Sequence, residues 1–69
     1  MSAGDAIASA RRAKGLSQQA LAARLACSIG AVAAWEAGRR TPRAATMRTL
    51  MEELGIDARD LLGPAGPRG

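Results

Sequence analysis

Three arginines within five residues, Arg39, Arg40 and Arg43, are the groups in this sequence best suited to chemistry, and that chemistry is charge neutralisation. A guanidinium presents a rigid fork of N–H donors that fits a phosphate, and it stays charged at any physiological pH. From Arg11 to Arg48 the chain carries eight basic residues (Arg11, Arg12, Lys14, Arg24, Arg39, Arg40, Arg43, Arg48) against one acid, Glu36. Four of the six acids, Glu52, Glu53, Asp57 and Asp60, follow that block. A split of this kind points one face at a polyanion and turns another away from it. Other chemistry is poorly provided for. There is no His, a single Cys, no pair of carboxylates on a pocket and no phosphate-cradling Gly loop. We therefore expect no enzyme, no metal site and no cofactor.

The basic residues follow two short segments that each begin with a serine, Leu16–Leu25 and Ser28–Ala37. Apolar residues recur at three- and four-residue spacing along the chain and nothing alternates as a strand would, so the fold class is all-α. A first helix runs from Ser2 or Asp5 to Lys14, with Gly15 just past its end. Ser17 caps a second helix, with Leu16 and Leu21 at the spacing of a hydrophobic staple. Ser28 caps a third after a connection of only Ala26 and Cys27, which forces the two helices to cross steeply. Pro42, behind a Thr41 cap, opens a fourth helix carrying Met47, Leu50, Met51 and Leu54 on one face. Asp57 caps a short fifth, with Leu61 and Leu62 to bury.

The expected core is Ile7, Leu16, Leu21, Leu25, Val32, Trp35, Met47, Leu50, Leu54, Ile56 and Leu61 or Leu62. It is lean, because the chain has no Phe or Tyr and Ala is abundant. Trp35 falls on the apolar face with Val32 and reads as core, not as a surface for stacking bases. Cys27 reads as a small staple residue, although a helix N-terminus lowers a thiol pKa and would suit a redox switch. The segment GPAGPRG at 63–69 reads as a flexible tail behind a single domain at 1–62. No apolar run approaches the roughly 20 residues of a membrane span, and MSAGDAIASARR lacks the order of a signal peptide. A cytoplasmic, nucleoid-associated protein is expected.

The run RRAKGLSQQALAARLACSIGAVAAWEAGRRTP, continued by LMEELGIDARDLL, resembles the Cro/cI-type (Xre family) helix-turn-helix domain of bacterial and phage regulators. The residues that carry the likeness are Arg11 four before Gly15, Leu16-Ser17-Gln18, Leu21-Ala22, Ser28, Val32, Trp35-Glu36, Gly38, Pro42 and Leu54-Gly55-Ile56 with Leu61-Leu62. The resemblance implies a compact five-helix bundle of the lambda-repressor-like kind, binding double-stranded operator DNA as a homodimer. It also implies a structural ion pair between Arg11 and Glu36. The Ser28 helix would lie in the major groove, with Gln18, Ser28, Ile29, Gly30, Ala31 and Ala34 towards the bases. Ser17, Gln18 and Gln19 at the start of the second helix, with Arg39, Arg40 and Arg43, would contact phosphates.

One departure from the family pattern stands out. Base-facing positions normally carry hydrogen-bonding side chains; here they are Ile29, Gly30, Ala31 and Ala34. Apolar contact with thymine methyls, DNA shape and modest specificity follow from that substitution. Ala26 replaces the usual Gly at the end of the second helix, and Arg43 stands where a Ser cap is common. Dimerisation is expected through Ile56, Leu61 and Leu62. The same fold also serves in coactivators and antitoxins, so a protein-interaction module with a protein partner is the alternative.

Overall fold

The computed structural model describes residues 2–57, which form four helices: α1 (Ala3–Ala13), α2 (Gln18–Leu25), α3 (Ile29–Glu36) and α4 (Ala44–Leu54). The expected fifth helix after Asp57 and the expected tail at 63–69 lie outside the described residues. Among the described residues no helix is long and apolar enough to cross a membrane.

Each of the first three helices is started by a serine in extended backbone. Ser17 Oγ accepts from Ala20 N–H at 2.9 Å, and Ser28 Oγ accepts from Ala31 N–H at 3.1 Å. Ser2 does more. Its Oγ accepts from Asp5 N–H at 3.1 Å while its own N–H donates to Asp5 Oδ2 at 3.2 Å, closing a capping box. Both residues considered for the start of α1 therefore act together.

The helix ends share one device. After α1, α2 and α3 the chain turns through a left-handed residue, and the amide beyond it reaches back five residues. Leu16 N–H donates to Arg11 O, Cys27 N–H to Ala22 O and Arg39 N–H to Ala34 O. The left-handed residue is Gly15, Ala26 or Gly38 in turn. Only Ala26, with φ 55°, carries a Cβ there.

The start of α4 differs from expectation. Pro42 does not open the helix: Arg43 is the cap, in extended backbone and without a side-chain cap bond. Pro42 is buried instead, lining with Trp35 the same two surface grooves. The ring is held by that burial, so the helix begins only at Ala44.

The core comprises Ile7, Leu21, Ala22, Val32, Trp35, Leu50, Leu54 and Ile56, with Leu16, Leu25, Cys27, Met47 and Met51 packed around it. Helix α3 lies against α1 and α2, and α4 also packs against both. Trp35 is buried, as its helical position required. Ile56 is part of the core, so it is not available as the dimer surface that the sequence suggested. Gly4 is buried because α1 approaches the end of α3 so closely that a Cβ there would lie 2.5 Å from Trp35 O and 2.8 Å from Glu36 O.

Two small residues thus make opposite demands. Ala26→Gly relieves the left-handed strain and is expected to raise stability by about 1 kcal/mol. Gly4→Ala forces α1 away from α3 and is expected to cost roughly 1–3 kcal/mol. Thermal melts of the two variants beside the parent chain check both signs.

Candidate nucleic-acid interface

The interface is organised around one buried carboxylate. Arg11 Nε donates to Glu36 Oε2 at 2.7 Å and Nη2 donates to Oε1 at 3.2 Å, so the pair is bidentate. Arg11 Nη1 donates to the carbonyl of Leu16 at 2.8 Å, and Gln18 Nε2 donates to Glu36 Oε1 at 3.0 Å. The two charged side chains are about nine-tenths buried, at 11% and 9% exposure. One cluster therefore joins α1, the turn after it, the first residue of α2 and the last residue of α3.

Burial by itself would raise the Glu36 carboxyl. The hydrogen bonds from Arg11 and Gln18, with the charges of Arg11 and Arg12, outweigh it and hold the group below its ordinary value. The hydrogen bond to Glu36 likewise raises Arg11 further, against the opposing effect of burial. The lone acid of the basic block is in this way neutralised from inside the fold, leaving the outer surface positive.

Arg39, Arg40 and Arg43 are all exposed, and none has an ion-pair partner among the described residues. Arg39 and Arg40 are placed by their backbone: both amides donate to Ala34 O, at 2.9 and 3.3 Å. A groove of about 360 Å³ separates the α2–α3 turn from the loop after α3. Cys27, Ala31, Arg40, Thr41 and Arg43 are among the residues that line it. Two of the three arginines thus stand beside the first turn of α3. Arg24 is different, because Glu53 of α4 meets it at 3.1 Å on the surface.

The other candidate residues divide. Ile29 and Gly30 are exposed at the start of α3, while Ser28 is exposed but already accepts the Ala31 amide. Ala31 is half-buried against the core. Ala34, expected on the base-facing side, is buried at 7% exposure. Its carbonyl is closed upon by two amides of the chain that doubles back after Gly38. Ala33, one residue earlier, is half-buried. Ser17 and Gln19 are exposed at the start of α2, but Gln18 is half-buried and turned towards Glu36. No local signal marked that bond, because its partner lies 18 residues away.

Cys27 is half-buried, and burial pushes its thiol pKa up. The lowering expected from a helix N-terminus does not prevail.

The Glu36 cluster fixes a pH dependence. A carboxyl held low in the folded state contributes its stability fully above its ordinary value of 4.5, and loses it as the pH falls through the lower folded value. Glu36→Gln leaves Arg11 buried without its counter-charge and is expected to cost roughly 3–5 kcal/mol at neutral pH. The variant should also lose the part of the acid-induced fall in Tm that Glu36 supplies. Thermal melts of both chains between about pH 2 and pH 7 measure the two effects together.

Neither the curated proteins nor the solved structures contain a match to this chain. A family model does match, however, over residues 7–61, a span that holds the Arg11–Glu36 cluster, all of α2 and α3 and the three arginines. Its description is helix-turn-helix, in the Xre/Cro type, and the chain belongs to that family.

Proposed function

We propose that this domain is a transcriptional regulator of bacterial or phage type that binds double-stranded DNA with α3 in the major groove. The observation that carries the reading is the set of exposed arginines after α3, Arg39, Arg40 and Arg43, which have no ion-pair partner among the described residues, in a block whose one acid is sequestered by Arg11. Exposed guanidinium groups without internal partners are suited to phosphates, and each phosphate neutralised releases counterions and steepens the salt dependence. Ser17, Gln19 and the free amides at the start of α2 add a site of positive helix-dipole character to the same surface.

The reading helix supplies little hydrogen bonding, so phosphate contact dominates the affinity and specificity is modest. Binding as a homodimer would set two α3 helices about 34 Å apart on a roughly palindromic operator, most simply to repress. The protein would then be cytoplasmic and nucleoid-associated. A second reading, in which the domain docks a protein partner as antitoxins and coactivators do, draws on the apolar start of α3, where Ile29 is exposed.

Binding of selected and random duplexes, titrated across salt, tests the proposal. Arg39→Ala, Arg40→Ala and Arg43→Ala should each weaken both duplexes alike and reduce the slope of log K against log salt by about one unit. The ratio of selected to random affinity should stay below about 10⁵ at physiological salt. No duplex binding at low salt, with a protein co-purifying instead, would favour the second reading.

A further inference from the structure

We propose that Ile29, on a helix face cleared by Gly30, reads the 5-methyl group of a pyrimidine in the major groove, so that the domain prefers thymine or 5-methylcytosine to uracil or cytosine at a fixed position. The inference rests on the DNA-binding reading above and names the group that α3 recognises.

Two residues carry it, and neither serves the fold. Ile29 is 45% exposed, the one large hydrophobic residue left open among the described residues. A polar side chain there would keep the helix and avoid the exposed apolar surface. Gly30 is helical and disfavours a helix of only eight residues. Packing does not require it: a Cβ would find no atom nearer than Ser28 Oγ, at 3.8 Å. The contrast with Gly4, where a Cβ would collide with backbone, is direct. A missing side chain on an open helix face lets the backbone come close to something outside the chain, and Arg40 and Arg43, which line a groove with Ala31 of the same turn, favour an anionic partner.

The chemistry of the base edges then selects the target. In the major groove every base pair shows donors and acceptors, and thymine alone among the common bases adds an apolar methyl. Ile29 has no donor or acceptor. Ser28 Oγ is accepting from Ala31 N–H, and the Gln18 amide is donating to Glu36. Against a cytosine amino group or a guanine carbonyl, isoleucine would strip water and return no hydrogen bond. Against a 5-methyl it removes only apolar surface from water. The methyl of 5-methylcytosine stands at the same ring position and should serve as well. Ala33, one turn further along the same face of α3, extends the apolar strip.

The test uses the 69-residue chain and a duplex selected by it from a random pool. Each thymine of that duplex is replaced singly by deoxyuridine, and the sensitive position is then remade as C·G and as 5-methyl-C·G. One thymine per half-site should lose about fourfold or more in affinity with its methyl. The 5-methylcytosine pair should bind better than the cytosine pair by a similar factor. Ile29→Ala should reduce these differences to within about twofold without lowering Tm. Gly30→Ala should raise Tm and weaken binding to the selected duplex. If the selected duplex outcompetes random DNA while every deoxyuridine is neutral, the proposal is overturned and the DNA-binding reading stands. A pool that yields no preferred sequence, or a methyl effect undiminished in Ile29→Ala, overturns it too. If no duplex binds at low salt, both readings fall and the Ile29 face belongs to a protein contact.

Discussion

The bidentate contact between Arg11 and Glu36 is the constraint on which the rest of the molecule depends. A guanidinium and a carboxylate taken out of water are costly unless every donor and acceptor is matched. Here Nε and Nη2 meet the two carboxylate oxygens, Nη1 meets the Leu16 carbonyl, and Gln18 supplies a further donor. Satisfying these groups fixes α1, the first residue of α2 and the last of α3 at one point. Rotation or sliding of α3 would break several of these bonds at once. The orientation of α3 is therefore set by an electrostatic clasp at its C-terminal end as much as by packing.

That clasp can close only because α1 approaches α3 through a small residue. Gly4 and Arg11 are seven residues apart, two helical turns, and share one face of α1. Gly4 brings the backbone against the carbonyls of Trp35 and Glu36, and Arg11 reaches the side chain of the same glutamate. Ile7, fully buried, fills the interval between them. The lean core follows the same logic. With one aromatic side chain, cohesion comes from short distances between helices, and Gly4, Ala6, Ala8 and Ala22 are buried where larger residues would hold the elements apart.

What could be read from the sequence was whatever is decided locally. Ser17 and Ser28 mark their own helix starts because the cap is made three residues on, and Gly15, Gly38 and Gly55 mark the turns that need positive φ. The core was legible where large apolar residues repeat, as in Leu21, Leu50 and Leu54. Legibility failed where tertiary path decides. Pro42 looks like a helix opener, but burial beside Trp35 moves the start of α4 beyond Arg43. Gln18 has a suitable position for DNA, yet Glu36 engages it. Ala33 and Ala34 are the same residue type in adjacent positions, and their residue type alone does not tell which is buried: Ala34 is and Ala33 is only half so.

That Ala34, expected on the outward side, is buried has a physical origin. Helix α3, IGAVAAWE, is small or apolar nearly all round, so beyond the bulk of Val32 and Trp35 little in its sequence marks the limits of its buried face. Its orientation has to be imposed by specific contacts: the insertion of Val32 and Trp35, the Ser28 cap and the Glu36 clasp at the far end. Once these hold the helix, folding places little demand on what the outward face displays. A face free of structural duty ordinarily carries charged or polar side chains, as the exposed side of a surface helix does. Here it carries an isoleucine and a glycine in the turn whose Ala31 lines a groove with Arg40 and Arg43, which have no ion-pair partner among the described residues. On the proposed reading the charge would bring the polyanion and the apolar face would meet it, a division of labour that ordinary solvation of a surface helix does not explain.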